Sequence, residues 1–171
     1  GSKDGEQISI QIGSSAGWNL ATAGAGNTSG TALNKTTETL NTATEAYNTA
    51  SQTTFQTQLN KGSTEYGAYE TAAAAAAAAP TDTGLADAAK ESLAAFKEAA
   101  GIDESASLST ADHTALKAYY DATTPAVDDD ETQAVLSAVS SKMSGTVDAA
   151  KTAGTEAAAA TPGVEIGRAH V

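Results

Sequence analysis

The chain begins with alternating polar and apolar residues and then changes to a helical spacing. Gln7–Ile12 alternates with period two and places three isoleucines on one face, which is typical of a half-buried β-strand. The segment 13–30 is rich in Gly, Ser, Ala and Asn, and it predicts a loop anchored by Trp18 and Leu20. Residues 1–30 are therefore predicted to form a short β-strand or hairpin followed by a Gly-rich loop.

Helical periodicity begins at Thr31 and continues to about Lys61. Apolar or small residues recur every seven positions and again three positions later: Leu33, Leu40, Tyr47 and Thr54, then Thr36, Ala43, Ala50 and Thr57. This is a heptad seam with weak apolar occupants. Because Thr and Asn lower helix propensity, tertiary packing is expected to hold this helix, and Gly62 is its predicted end.

A second helix is predicted from about Ser63 to Ala79, where Pro80 ends it. A third is capped by Asp82 or Thr83 and ends at Gly101. Its predicted apolar stripe consists of Leu85, Ala89, Leu93, Phe96 and Ala100.

The last third of the sequence predicts two more helices. The segment 109–112, Ser-Thr-Ala-Asp, resembles a capping box for a short helix that bears Leu116, Tyr119 and Tyr120 and breaks at Pro125. The acidic run 128–131 opens the last helix, which ends at the segment 161–163. Its predicted apolar side consists of Val135, Val139, Met143, Val147 and Ala150.

Together these elements predict a mainly α fold. Short connections favour antiparallel neighbours, so we expect an up-and-down helical bundle of four to five helices, preceded by the short β-strand or hairpin. Residues 31–164 are the predicted Ala/Thr-rich helical domain. Residues 165–171 can be encoded by DNA that matches a common sequencing-library adapter. We therefore expect read-through there, in a fragment of a longer protein, and leave that segment out of the fold.

The composition of the chain limits the kinds of binding site and partner that it could have. The net charge is -12, and there is no cysteine, which excludes disulfides and thiolate metal sites. Leu, Ile, Val and Phe make up about 13% of the chain, below the ~20% expected of a well-filled core. We therefore expect a thin core. The acidic balance argues against nucleic acid as a partner, and no apolar stretch is long enough for a membrane span.

Candidate chemistry is sparse. His113 beside Asp112 is a possible acid–base group, but it is equally placed as an ordinary surface residue of a first helical turn, and we favour that interpretation. The acidic run 128–131 offers oxygens for a cation. Acidic residues also stabilise a helix N-terminus, and the run lacks the ligand spacing of a calcium loop. We predict no catalytic, cofactor-binding or metal-binding residues, and no enzymatic activity.

Three further motifs occur in the Thr-rich half of the chain. The Gly-rich segment 24–30 lacks the spacing of a phosphate-binding loop and is interpreted as a linker. Asn27 and Asn34 begin N-glycosylation sequons, which are expected by chance in such a composition. Threonines spaced eleven apart lie on one helical face, as in ice-binding helices: Thr31, Thr42, Thr53 and Thr64. Ice binding is a minor alternative function.

The segment 4–17, Asp-Gly-Glu-Gln-Ile-Ser-Ile-Gln-Ile-Gly-Ser-Ser-Ala-Gly, resembles bacterial flagellin. In that family a similar Ile-x-Ile-Gln-Ile-Gly segment closes the conserved N-terminal part and leads into the variable, solvent-facing region. The resemblance implies a structural subunit of the flagellar filament, secreted to the cell surface. It also implies self-association in a filament through parts missing from this chain. The alternative is a helical segment of a secreted adhesin or surface-layer protein.

The composition gives one prediction for the isolated chain. Abundant Ala with few large apolar residues is expected to produce strong helical circular dichroism and a shallow, low-temperature melting transition. A spectrum dominated by β-structure would contradict the predicted bundle.

Overall fold

The computed structural model of the chain describes residues 30–163, with side chains from residue 37 onward. This part is mainly helical, as predicted. It contains six α-helices: α1 (Gly30–Asn60), α2 (Ser63–Ala78), α3 (Thr83–Ala100), α4 (Thr110–Asp121), α5 (Asp130–Val139) and α6 (Val147–Ala159). The predicted strand 7–12 and the loop around Trp18 lie outside the described residues.

The ends of α3 and α4 follow the local chemistry that the sequence predicted. Asp82 caps α3 by accepting the backbone N–H of Leu85 at 3.1 Å. Gly101 ends the same helix in the left-handed conformation, with φ of 74°. At α4 the capping box forms in both directions, because Ser109 Oγ accepts from Asp112 N–H and Asp112 Oδ2 accepts from Ser109 N–H.

The prediction of one last helix from the acidic run 128–131 to residue 160 is wrong, and so is the count of four to five helices. The chain leaves the α-helix after Val139, passes through two short 3₁₀ turns, and resumes as α6. Asp103 explains the break. Its N–H donates to the Lys142 carbonyl at 2.7 Å, and its carboxylate accepts from Ser144 N–H and Oγ–H at 3.2 and 2.7 Å. These long-range bonds hold the chain outside a helical path.

The chain divides into two compact units. Within the described residues, unit 1 comprises 30–54 with 148–163, and unit 2 comprises 55–147. The division falls within α1 and at the start of α6. No local sequence signal marks this division, because α1 continues without a Gly or Pro across the boundary.

In unit 1, the first half of α1 packs against α6 in an antiparallel pair. Tyr47 of α1 is fully buried and contacts Gly154 of α6 so closely that a Cβ at position 154 would lie 2.6 Å from Tyr47 Cε2. Farther along, a Cβ at Gly163 would lie 3.4 Å from Thr39 Cγ2. Because the lower number on α1 meets the higher number after α6, the two helices run antiparallel, and Gly163 lies beside a residue nine positions after the start of α1.

Unit 2 contains most of the large buried side chains. They come from the end of α1, the bases of α2 and α3, α4 and α5: Phe55, Leu59, Tyr66, Phe96, Leu116, Tyr119, Val135, Leu136, Val139 and Met143. Two glycines allow the helix ends to interlock. A Cβ at Gly62 would lie 2.8 Å from Ala100 Cβ, and one at Gly101 would lie 2.7 Å from Gln58 Cγ.

The predicted heptad seam of α1 is correct in its first half only. Ala43 and Tyr47 are buried, but Thr57 is exposed, and Phe55 and Leu59 are buried in its place. The two halves of α1 belong to different compact units and so have different packing partners. The buried positions 43, 47, 51, 55 and 59 recur every four residues, so the buried face turns steadily around the helix and departs from the predicted heptad. No helix among residues 30–163 is long and apolar enough to cross a membrane.

Substituting Gly154 by alanine tests the close approach in unit 1. Alanine has the higher helix propensity, by about 1 kcal/mol, but its Cβ would overlap the Tyr47 ring. We expect overpacking to outweigh propensity and lower the free energy of unfolding by about 1–2 kcal/mol. Gly67→Ala is the matched control, because nothing lies within 4 Å of its Cβ position. Thermal and urea unfolding should show Gly67→Ala stabilised and Gly154→Ala destabilised, and stabilisation of both would contradict the contact.

Candidate functional site

His113, the only histidine among residues 30–163, lies in the first turn of α4 and is half-buried. Its Nδ1 is 2.9 Å from the Tyr66 hydroxyl, and that hydroxyl also donates to the His113 carbonyl at 3.3 Å. The ring stacks on Tyr69, with centroids 5.3 Å apart and planes 20° apart. The interpretation of His113 as an ordinary surface residue is therefore incomplete, since its ring packs against two tyrosines of α2.

These rings belong to an aromatic cluster within unit 2. Tyr66 meets Phe96 edge-on at 4.8 Å and lies 5.3 Å from Tyr120, which in turn contacts Tyr119. The outer hydroxyls are anchored to the end of α1. Tyr119 Oη donates to Asn60 Oδ1, and Tyr120 Oη donates to the Leu59 carbonyl at 2.7 Å. The cluster binds α1, α2, α3 and α4 to one another, which makes packing its evident role.

Burial is the main cause of the pKa shifts of His113 and Tyr66 in this cluster. Burial lowers the pKa of His113 below its usual 6.5; Asp112 opposes this shift and Lys97 reinforces it. Burial also raises the pKa of Tyr66, with a smaller contribution from Glu70. The ring of His113 is thus neutral and the phenol of Tyr66 protonated at pH 7.

Asp112 is buried and engaged on two sides. Its Oδ2 forms an ion pair with Lys142 and accepts the N–H of Ser109 at 2.9 Å. Burial alone would raise the pKa of Asp112, but the bonds from Lys142 and Ser109 outweigh it and hold the pKa below its usual 3.8. Lys142 also donates to the Ser107 carbonyl at 2.7 Å. The carboxylate ties the start of α4 to the 3₁₀ turn after α5.

The acidic run 128–131 behaves as a helix start. Asp129 is the N-cap residue of α5, its Oδ2 accepts the backbone N–H of Ala126 at 2.8 Å, and all four side chains are exposed. Among residues 30–163, no three His, Asp or Glu side chains converge to form a possible metal site.

The threonine array does not continue along one helix. Thr42 and Thr53 are exposed on α1, whereas Thr64 lies on α2, beyond the break at Gly62. Thr42 Oγ1 donates to the Glu38 carbonyl at 3.0 Å, as a threonine within a helix commonly does. The sequons at Asn27 and Asn34, and the Gly-rich segment before Gly30, lie outside the described side chains.

Unit 1 has a further feature: α1 packs closely on α6, with Thr39 beside Gly163 and Tyr47 against Gly154. Sequence reasoning missed this feature, as it missed Lys142 and Tyr66. The partners of each pair are far apart along the chain, and no local pattern links them. Comparison with protein-family models, curated proteins and solved structures finds no match.

Removing Lys142 tests the buried ion pair. Lys142→Met leaves Asp112 without its cationic partner, and we expect a loss of about 1–3 kcal/mol in the free energy of unfolding at pH 7. Lys117→Met, which breaks an exposed pair with Asp121, is the control and should leave the free energy of unfolding almost unchanged.

The pH dependence should follow from Asp112. Because its folded-state pKa lies below 3.8, the pair contributes stability above that pH and loses it as the pH falls through the folded pKa. The deficit of Lys142→Met relative to the parent protein should therefore shrink between pH 5 and pH 2.5 in urea titrations. A deficit that stays constant over this range would show that the charge on Asp112 is not involved.

Proposed function

We propose that this chain is part of a non-enzymatic structural subunit of the bacterial flagellar filament, secreted to the cell surface. In this proposal residues 31–164 form an outward-facing helical bundle inserted into the subunit, up-and-down in its connectivity. The filament is assembled by other parts of the protein.

The observation that carries the proposal is the antiparallel packing of α1 on α6, with Thr39 beside Gly163. It places the start of α1 and the residue after α6 at the same end of unit 1. A domain can be inserted into a host protein without disturbing it when its two connections leave from the same side. In this proposal the host chain leads into α1 and continues after Gly163.

The surface of the helices supports a solvated location. The chain carries a net charge of -12, and the acidic side chains at the start of α5 are exposed. The exposed positions of α2 and the first half of α3 are mainly alanine, threonine and charged residues. Such a surface favours contact with water over a packed filament core, which requires long runs of large apolar residues.

The choice of family in this proposal rests on the sequence before the helices. The segment 4–17 resembles the end of the conserved N-terminal part of flagellin, which directly precedes the variable outer region.

The non-enzymatic part of the proposal has separate support. His113 packs between tyrosines, and Asp112 is bound to Lys142 and Ser109.

Deletion in the full-length gene tests the proposal. Residues 31–160 are replaced by a short Gly/Ser linker, because the start of α1 and the residues after α6 lie at the same end of unit 1. Filaments should still form by electron microscopy, and antibodies raised against residues 31–160 should no longer label them. As a control, deletion of residues 31–109 removes α1–α3 but leaves α4–α6 with apolar faces exposed, among them Val135 and Val139. That variant should assemble poorly or aggregate.

Three results would count against the proposal. Failure of the full-length protein to form filaments would exclude a filament subunit. A full gene with a cleavable signal peptide and a surface anchor would support the secreted adhesin instead. Loss of filaments on deletion of 31–160, with assembly of the full-length protein intact, would place this region in the filament core rather than on its surface.

A further inference from the structure

The α-helical conformation is interrupted between α5 and α6 by two 3₁₀ turns, and we name residues 140–146 the hinge segment. Two residues depart clearly from helical geometry: Val139, with φ of -120° and ψ of -11°, and Met143, with φ of -118° and ψ of 57°. Ser140 and Val147 have right-handed helical angles. Because 3₁₀ and α-helical angles differ by about 20° or less in ψ, rotations centred on two residues convert the segment into a helix.

The sequence of this region is compatible with one continuous helix. There is no proline between Pro125 and Pro162. Gly145 has the least favourable helix propensity of the hinge segment, and nothing lies within 4 Å of the position that its Cβ would occupy. Apolar residues continue through the segment at helical spacing: Val135, Val139, Met143, Val147 and Ala150.

Bonds from outside the hinge segment hold the break in place. Asp103 N–H donates to the Lys142 carbonyl at 2.7 Å, and the Asp103 carboxylate accepts from both N–H and Oγ–H of Ser144. Lys142 also pairs with Asp112 and donates to the Ser107 carbonyl. These partners all belong to unit 2. A few polar contacts, rather than a proline within the segment, therefore oppose a continuous helix.

The packing of α6 on α1 is one that a second copy of the chain can also supply. Within unit 1, the Tyr47 ring occupies the space beside Gly154, where a Cβ would lie 2.6 Å from it. Residues 140–146 set the direction in which α6 leaves α5. Straightening them therefore moves α6 off the α1 of its own chain and uncovers Tyr47. The α6 of another copy carries the same Gly154 and fits that face with the same contacts.

We propose that residues 140–146 form a hinge through which two copies of this chain exchange α6, so that each α6 packs on the α1 of the other copy. The exchanged dimer makes the contact of Tyr47 with Gly154 twice, and each chain gains the backbone hydrogen bonds of a continuous helix. It loses the bonds from Asp103 and the burial of Met143 within the break. Higher protein concentration favours the dimer. This inference does not rest on the proposed filament role.

Variants of the hinge test the exchange in the complete 171-residue chain. Each protein is incubated at high concentration near the midpoint of its urea unfolding, returned to buffer, and analysed by size exclusion with light scattering. Gly145→Ala should raise the association constant by up to about twentyfold, because alanine favours the helix about fivefold in each of two chains. Asp103→Ala should also raise it, because the bonds to Ser144 are lost. Gly67→Ala is the matched control and should leave the dimer fraction unchanged, since it raises helix propensity outside the hinge.

A complementary pair of variants identifies the helix that is exchanged. One chain carries Tyr47→Ala and the other carries Gly154→Leu, so the contact is underfilled in the first monomer and overfilled in the second. In an exchanged heterodimer, the shortened position 47 meets the enlarged position 154, and the other site keeps the native pair. Native mass spectrometry of the two chains refolded together should show more heterodimer than both homodimers combined.

Two outcomes would overturn the exchange of α6. One is a dimer fraction in Gly145→Ala and Asp103→Ala no higher than that of the parent chain. The other is a heterodimer no more abundant than the two homodimers combined, because a dimer formed through another surface would mix at random. If Tyr47→Ala and Gly154→Leu do not fold even when mixed, as judged by circular dichroism, the dimer fractions of the hinge variants decide the question.

Discussion

Tyr47 fits against α6 because position 154 has no side chain. Small residues surround this contact, among them Ala43, Ser51, Ala150 and Ala158, all fully buried. Alanine-rich helices gain little from each side chain that they bury, so they must approach closely to make enough contacts. One glycine opposite one large aromatic ring satisfies this requirement in unit 1. The same packing makes α1 and α6 antiparallel, with Thr39 beside Gly163, and the proposed role as an inserted domain depends on that arrangement.

Unit 2 also has few large apolar residues, and it buries them together. Its Phe, Leu, Val and Tyr side chains pack where the helix ends meet, and the glycines at 62 and 101 allow those ends to approach closely. Polar groups complete the attachment. The hydroxyls of Tyr119 and Tyr120 bind the last turn of α1, and Lys142 binds Asp112 across thirty residues of chain. As a consequence, the titratable side chains that a sequence-based search would nominate for chemistry are used to hold helices together.

The hairpin formed by α2 and α3 has buried side chains only at its base, which makes it a natural place for local opening. Most of α2 and α3 contributes weak alanine contacts, so the free energy that keeps the hairpin docked resides in the aromatic cluster.

The sequence by itself determined the helices, because their signals are local. Asp82, Gly101 and the Ser109–Asp112 box act within three or four residues of the backbone groups they satisfy, and the predicted termini match the structure. Only the tertiary structure decided the break after Val139, the change of packing face along α1, and the surroundings of His113. Each depends on residues distant in the chain: Asp103 binding Ser144, Phe55 packing in a different unit from Tyr47, and Tyr66 meeting the imidazole. Periodicity reports which face of a helix is apolar, but it carries no information about which distant segment will cover that face.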